Sequence, residues 1–263
     1  IMELLLKRCC PVILVVLGIL QSGCASTQSG VSSKDVDKKT AYHQHINLAK
    51  QYIGANQRGL ARLHLTNAQK YIDTNYEDDL SKFFSTYALL YQMELEFELA
   101  EEYFGKAIKS DPNDSATRYN YSWFLFKQER FADALKQILI VSRDVSYRRR
   151  PQAFLIAGLT QKELEDSDAA LQSFERAIDL APQFNAAYLE AAKVYFERQS
   201  YLLAKDAIVT YISISGETAE SLWLLTRIQL KIGDAPAMTE SGDRLNTLFA
   251  DSEQAGRYRA LVQ

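Results

Sequence analysis

Cysteine is scarce in this chain, and its placement limits the chemistry that the chain can perform. The 263 residues include three cysteines, Cys9, Cys10 and Cys24, and none follows residue 24. The rest of the chain can therefore form no disulfide and offers no thiol for catalysis or metal binding. Such a composition suits an oxidising compartment, because no free thiol is left there to react.

Residues that carry enzymatic or metal chemistry are also few. Histidine occurs three times, as His43, His45 and His64. His43 and His45 are two residues apart on a predicted helix, so they point away from each other and form a poor metal site. Neither a glycine-rich phosphate loop nor a GxSxG or HExxH motif occurs. The formal net charge of −3 argues against nucleic-acid binding, for which a basic face is expected. We therefore predict a protein without catalytic residues, metal ion, cofactor or small-molecule substrate.

The N-terminal segment contains the one long apolar run that borders on basic residues. Lys7 and Arg8 precede an uncharged stretch at residues 11–20, and small residues follow up to Cys24. An apolar run of about ten residues is too short to span a membrane as a helix. Basic residues before such a run and small residues after it are typical of a secretory signal. We predict a signal peptide at residues 1–23.

The end of this signal, at residues 20–24 (LQSGC), resembles the lipobox of bacterial lipoproteins. The resemblance implies that the thiol of Cys24 is lipidated, with palmitate among the acyl groups, and that Cys24 becomes the N-terminus. It also implies an outer-membrane, periplasm-facing location, since Ala25 stands where aspartate would retain the protein in the inner membrane. An ordinary secretory signal with a chance cysteine is the alternative. Residues 24–40 are rich in serine and charge, and we predict a flexible tether there.

From residue 42 onward the sequence repeats itself at a period of about 34 residues. The clearest copy, at residues 81–114, places small, aromatic and proline residues at fixed offsets, and the copy at 151–184 repeats most of them. This pattern resembles the tetratricopeptide repeat (TPR), in which small residues let two helices approach closely and proline ends the second helix. The matching positions are Phe84, Tyr87, Ala88, Tyr91, Ala100, Phe104, Ala107 and Pro112 in one copy, and Phe154, Ala157, Gly158, Ala170, Phe174, Ala177 and Pro182 in the other.

Weaker copies in the same frame complete the array. They occupy residues 42–75, 115–148, 185–218 and 219–252, with insertions near 76–80 and 147–150. We interpret the arginines at 148–150 as a solvated helix end rather than a binding site. The last copy has Met238 and Gly242 where an alanine and a large residue belong, which we interpret as a solenoid end that meets water. The prediction is an all-α, right-handed superhelical TPR solenoid of six helix-turn-helix repeats over residues 41–252, with a C-terminal tail at 253–263.

The first helix of each repeat lines the concave groove of a TPR superhelix. In the third repeat, Tyr119, Trp123 and Phe126 follow i, i+4, i+7 spacing and form one helical stripe. Two interpretations remain open: the stripe packs within the solenoid or against a capping segment, or it anchors a partner segment in the groove. The residues that we predict to line a protein-binding groove are Tyr119, Trp123, Phe126, Leu155, Leu159, Phe196 and Trp223.

Residues 120–131 (NYSWFLFKQERF) resemble a signature of type IV pilus biogenesis lipoproteins of the PilF/PilW kind, the pilotins of the pilus secretin. The expansion before Pro151 and the motif at 221–225 (SLWLL) support this resemblance, which covers nearly the whole chain. It implies a non-catalytic assembly factor that binds secretin subunits and promotes their outer-membrane localisation and multimerisation, and so supports pilus biogenesis and twitching motility. The alternative is a TPR adaptor lipoprotein that scaffolds peptidoglycan enzymes or outer-membrane assembly complexes. An enzyme with a TPR appendage is disfavoured, because no residues remain for a catalytic domain.

Overall fold

The structure, a computed structural model, describes residues 33–72 and 77–263, and every regular element in these two ranges is a helix. None of these helices has both the length and the apolar character that a membrane crossing requires. The predicted signal peptide at residues 1–23, the lipidation site Cys24 and the first part of the tether lie outside the described residues. The helices are α1 (Ser33–Gly54), α2 (Arg58–Gln69), α3 (Glu77–Met93), α4 (Phe97–Ser110), α5 (Ser115–Lys127), α6 (Phe131–Arg143), α7 (Arg150–Glu163), α8 (Ser167–Leu180), α9 (Asn185–Glu197), α10 (Tyr201–Ser215), α11 (Ala219–Ile232), α12 (Ala235–Leu248) and α13 (Glu253–Val262).

In the part of the chain that the structure describes, consecutive helices pair into six hairpins, which correspond to the six predicted repeats. The pairs α1/α2, α3/α4, α5/α6, α7/α8, α9/α10 and α11/α12 share the most extensive helix contacts. Short turns connect the two helices of each pair, which makes them antiparallel neighbours. The predicted all-α TPR solenoid is therefore confirmed.

The array curves so that the first helices of the repeats lie on its inner side. Helix α1 contacts α3, and the same relation continues through α5, α7, α9 and α11. Across the described ranges, the second helices make no such contacts with one another. Helices that touch their counterparts in the next repeat lie closer together than those that do not. The first helices therefore line the concave surface.

Small residues at the predicted positions allow the close helix packing. Ala88, Ala100 and Ala170 are fully buried. At Gly158, a Cβ atom would lie closer than 3.0 Å to three atoms of the Phe174 ring. The ring of Phe174 is itself fully buried. Glycine is therefore the only residue that fits between α7 and α8 without displacing this ring.

The turn inside each repeat contains a residue with positive φ at one fixed repeat position. A side chain in this left-handed region costs about 1–2 kcal/mol, and glycine avoids that cost. Five of the six residues nevertheless have side chains, so the geometry of the helical hairpin overrides the local preference. The residues and their φ angles are Asn56 (56°), Leu95 (63°), Glu129 (59°), Glu165 (61°), Gln199 (60°) and Gly233 (87°).

The predicted tether is wrong for its last eight residues. Helix α1 begins at Ser33, so residues 33–40 are helical. Residues 37–40 are exposed and show no apolar periodicity, which is why the sequence pattern does not predict them as helix. Once packing has nucleated α1, each added residue gains one hydrogen bond, so polar residues extend the helix.

The first insertion does more than lengthen a connection. Its last residues form an added N-terminal turn of α3, which begins at Glu77. The hydroxyl of Tyr42 donates a hydrogen bond to the carbonyl oxygen of Asp79, and Nε2 of His43 lies 3.6 Å from Oδ1 of the same residue. Asp79 is 3% exposed. The added turn therefore packs against α1.

The predicted C-terminal tail is also wrong, because residues 253–262 form the helix α13. It packs on α11 and α12 and buries Ala255 and Tyr258, the latter 4% exposed. A Cβ atom at Gly242 would lie closer than 3.0 Å to three atoms of the Tyr258 ring. The interpretation of Gly242 as a solenoid end that meets water is therefore wrong. This glycine makes room for the helix that covers the last repeat.

Candidate protein-binding surface

The seven predicted groove residues all lie on first helices and therefore on the concave side. Each is half-buried, so its inner part packs on a core cluster while its outer part stays accessible. The two interpretations of the stripe are thus compatible, and a role in partner binding stays a prediction. The residues are Tyr119, Trp123 and Phe126 on α5, Leu155 and Leu159 on α7, Phe196 on α9, and Trp223 on α11.

Tyr119 belongs to a group of tyrosines and arginine at the start of α5. Cζ of Arg149 lies 4.4 Å from the Tyr119 ring centroid, and Nη2 of Arg149 donates a hydrogen bond to the Tyr119 hydroxyl at 3.2 Å. The centroids of the Tyr119 and Tyr147 rings are 6.0 Å apart. Burial raises the pKa of Tyr147 to about 12, although the nearby Arg149 acts in the opposite direction. The phenol of Tyr147 therefore remains a hydrogen-bond donor at neutral pH. The group borders a depression of about 770 Å³ that extends to Leu89 on α3 and Lys50 on α1.

Trp123, Phe126 and Lys127 form a second group, which we name the tryptophan patch. The rings of Trp123 and Phe126 are stacked, with centroids 5.3 Å apart and an interplanar angle of 8°. Nζ of Lys127 lies 4.8 Å from the Trp123 ring centroid. The inner part of Trp123 packs on the cluster that contains Ile138 and Ile156. A cation over a stacked pair of rings favours this arrangement, so the side chains of the patch are already ordered.

A chain of ion pairs follows the groove from α7 to α11. The carboxylate of Glu190 accepts from Lys162 at 3.0 Å and from Lys193 at 2.8 Å, and Nζ of Lys193 is 2.7 Å from Oε1 of Glu220. Burial by itself would raise the pKa of Glu190, but the two lysines outweigh it and hold that pKa below its usual range. Burial would lower the pKa of Lys193, but hydrogen bonds to Glu190 and Glu220 raise it overall. Both shifts favour the ionised forms, so Glu190 and Lys193 form a charged pair in the groove.

Phe196 and Trp223 lie in a third group, at the C-terminal end of the groove. Cζ of Arg227 is 4.3 Å from the Phe196 ring centroid and 6.0 Å from that of Trp223. These residues line a cleft of about 490 Å³ that also includes Leu230 and Leu261. We name this space the C-terminal cleft. Its wall on the α13 side depends on a helix that the sequence pattern does not predict.

Sequence reasoning missed Tyr147, Arg149 and Leu261. Of the three arginines at 148–150, Arg150 agrees best with the prediction of a helix end, since its Nε donates to the Ser142 carbonyl in the last turn of α6 at 2.7 Å. Arg149 instead stacks on Tyr119. The only sequence signal near this contact is Tyr147 beside Arg148 in the insertion at 147–150. An insertion has no periodicity, so this signal does not predict which residue Arg149 contacts.

The histidines make a contact that the spacing of His43 and His45 did not indicate. Nδ1 of His45 lies 2.9 Å from Nδ1 of His64 on the neighbouring helix α2. Burial holds the pKa of His45 below its usual value, and the charges of His64 and Lys70 act in the same direction. In residues 33–72 and 77–263, no group of three or more histidine, cysteine, aspartate or glutamate residues could hold a metal ion.

Comparison with known proteins agrees with this architecture. Two family models, both described as tetratricopeptide repeat, match residues 89–140 and 151–184. YrrB, a TPR protein with an unusual peptide-binding site, has a similar fold: its solved structure superposes with a TM-score of 0.62 at 17% identity, over 73% of this chain and 97% of that one. The repeated hairpins and the two matched segments together show a TPR fold.

More extensive similarity is found to two pilus proteins. The type IV pilus assembly protein PilF of Pseudomonas aeruginosa is 26% identical over 254 residues, which cover 96% of this chain and 98% of PilF. The structure of P. aeruginosa PilF superposes with a TM-score of 0.75 at 24% identity, over 85% of this chain and 99% of that one. PilW, a type IV pilus biogenesis factor, superposes with a TM-score of 0.70 at 22% identity, over 84% of this chain and 98% of that one. This chain is therefore similar to PilF along nearly its whole length, and it shares the fold of PilF and PilW.

Proposed function

We propose that this protein is a non-catalytic assembly factor of type IV pilus biogenesis. It binds subunits of the pilus secretin and promotes their localisation and multimerisation in the outer membrane, thereby supporting twitching motility. The observation that carries this proposal is the similarity to PilF, which spans 96% of this chain and 98% of the relative. Similarity over whole chains favours a shared role more than a match confined to single repeats, because TPR modules occur in many unrelated proteins.

The concave surface provides a physical basis for partner binding without chemistry. Half-buried aromatic side chains present large apolar area and lose little conformational freedom on binding. The tryptophan patch is already stacked, so a partner segment would not need to order it. In this proposal the partner lies along the groove and uses Tyr119, Trp123, Phe126, Leu155, Leu159, Phe196 and Trp223 as contacts.

Replacing Trp123 by alanine is expected to weaken secretin capture about tenfold or more, since truncation of a central aromatic anchor costs about 1.4 kcal/mol or more. The measurement is immunoprecipitation of the native lipoprotein from detergent-solubilised envelopes, followed by identification of the bound proteins. Lys127→Glu reverses the charge over the Trp123 ring without opening the core and should weaken capture in the same direction. Ile140→Ala, at an exposed position on α6 of the same repeat, is the matched control and should retain binding.

Unchanged secretin recovery by a folded Trp123→Ala protein would contradict a role for the patch. Circular dichroism and thermal unfolding of each variant separate loss of binding from loss of fold. Recovery of cell-wall enzymes or outer-membrane assembly proteins in place of a secretin would favour the adaptor function instead.

The proposed anchor is the lipid on Cys24, with the protein facing the periplasm from the outer membrane. Cys24→Ala should move the protein from the outer-membrane fraction to the soluble periplasmic fraction, because a diacylglycerol and an amide-linked acyl chain together give stable anchoring. Fractionation and immunoblotting of the two proteins measure the effect. A Cys24→Ala protein that still sediments with the outer membrane would refute the anchor, and Cys10→Ala is the control.

A further inference from the structure

We propose that the C-terminal cleft binds an acidic peptide segment in which an apolar side chain stands beside one or more carboxylates. This inference deepens the proposed function. It rests on that function in one respect, namely that the ligand of the cleft is a segment of a protein partner. It adds the chemistry of that segment and the residues that select it.

One face of α11 carries the residues that select the ligand. Trp223, Arg227 and Lys231 follow one another at intervals of four residues and so share one face of the helix. Leu230, on the same face, is 43% exposed. This face turns toward Phe196 on α9 across the cleft. Basic and apolar groups therefore alternate along a single edge of the binding space.

Arg227 is held in place by aromatic rings, without an anionic partner among the described residues. Its guanidinium is 4.3 Å from the Phe196 ring centroid and 6.0 Å from that of Trp223. Within residues 33–72 and 77–263, no carboxylate lies within ion-pair distance of Arg227 or Lys231. A guanidinium positioned by aromatic rings keeps its N–H edge available, and this edge matches the two oxygens of a carboxylate.

The other charged residues of the cleft differ from Arg227 and Lys231. Lys193, which also lines the cleft, already forms ion pairs with Glu190 and Glu220. Glu197 also lines the cleft and would repel an anion placed beside it. Of the lysine and arginine side chains that line the cleft in the described residues, Arg227 and Lys231 are therefore those at which a carboxylate would displace no other anion.

The apolar part of the cleft accepts the second element of the ligand. Phe196, Trp223, Leu230 and Leu261 are apolar lining residues of the cleft, whose whole volume of about 490 Å³ can hold an aromatic or branched side chain. Leu261 belongs to α13 and is 44% exposed, so a ligand that covers it removes apolar surface from water. A peptide with an apolar residue beside an acidic residue could therefore contact the apolar lining and pair with Arg227 or Lys231 at the same time.

The experiment begins with selection of a random-peptide phage library on the full-length protein in detergent. We expect the selected peptides to carry aspartate or glutamate next to an aromatic or aliphatic residue. Synthetic versions of these peptides should bind Arg227→Ala/Lys231→Ala at least tenfold more weakly than the unsubstituted protein. Their affinity should also fall with added salt. The control variant Lys136→Ala/Arg143→Ala also removes one lysine and one arginine, but from exposed positions on α6. It should leave the affinity unchanged.

Tryptophan fluorescence locates the binding site. The chain contains two tryptophans, Trp123 and Trp223, so Trp123→Phe leaves a single reporter in the C-terminal cleft. The selected peptides should change the emission of Trp223 in this background, with the Arg227 and Lys231 substitutions shifting the titration to higher concentration. Arg227→Lys keeps the charge but loses the planar fork, and an intermediate affinity is expected.

Selection of neutral or basic peptides, selection of none, or binding that is indifferent to Arg227 and Lys231 would overturn the inference. The outcomes also separate it from the proposed function. A secretin recovered from envelopes by a protein that selects no acidic peptide would leave the function standing and refute the cleft specificity. Acidic peptides that bind through Arg227, without any secretin recovered, would refute the function and leave the specificity standing.

Discussion

Gly158→Ala is expected to lower the free energy of unfolding by about 1–3 kcal/mol, the usual cost of overpacking a tight core. The direction is opposite to the ordinary helix preference, since alanine in a helix interior is about 1 kcal/mol more favourable than glycine. The reason is steric, because the added Cβ would lie closer than 3.0 Å to three atoms of the fully buried Phe174 ring. Urea unfolding followed by circular dichroism measures the change.

The contact between Gly158 and Phe174 also predicts a reversal of sign. Phe174→Ala alone should cost about 3–5 kcal/mol, because it removes a buried ring and leaves a cavity. In that background, Gly158→Ala no longer meets the ring and should stabilise the protein by about 1 kcal/mol. Both midpoints and slopes are needed, since repeat arrays can unfold in more than one step.

Gly105→Ala in α4 is the matched control for this pair. A Cβ atom at Gly105 would meet nothing within 4 Å, so the substitution should stabilise the protein by about 0.5–1 kcal/mol. If Gly158→Ala stabilised the unsubstituted protein as Gly105→Ala is expected to do, the packing of Phe174 against α7 would be wrong.

The part of the fold that could be predicted from the sequence is the part that repeats. Ala88, Ala100, Gly158 and Ala170 recur at fixed offsets because every hairpin solves the same packing problem, so their spacing predicts both helices and their contact. Helix α13 is not part of this repeat. It packs on the last hairpin, and no other described helix has the same role. It contributes two buried residues, Ala255 and Tyr258, too few to form a recognisable period.

The groove residues on the first helices could be predicted from their helix positions, whereas those contributed by loops and by the terminal helix could not. Trp123 and Trp223 were found because the first helix of a TPR faces inward at known positions. Arg149 reaches Tyr119 from an insertion of irregular backbone, and no spacing rule relates the two. Leu261 lies in the C-terminal cleft only because α13 folds back. Helix faces can be derived from periodicity, whereas groups completed by loops and terminal helices depend on tertiary structure.

Gly242→Ala is expected to displace α13 from the last repeat and to destabilise it by about 1–3 kcal/mol. The physical reason is that a Cβ at this position would lie closer than 3.0 Å to three atoms of the buried Tyr258 ring. Once Tyr258 moves, the surface of Leu222 and Leu245 beneath it becomes exposed. Amide hydrogen exchange should show loss of protection over residues 253–262, while α3 and α4 keep theirs.

A second substitution separates displacement of α13 from general destabilisation. Tyr258→Ala removes the ring that Gly242 accommodates, so adding Gly242→Ala to it should cost little further. Since Leu261 lines the C-terminal cleft, both variants should also alter the emission of Trp223 when compared in the Trp123→Phe background. Full protection of residues 253–262 in Gly242→Ala would contradict the packing of Tyr258 against α12. Without that packing, the C-terminal cleft would lose its wall on the α13 side. Helix α13 therefore has two structural roles: it covers the core of the last repeat, and it forms one wall of the C-terminal cleft.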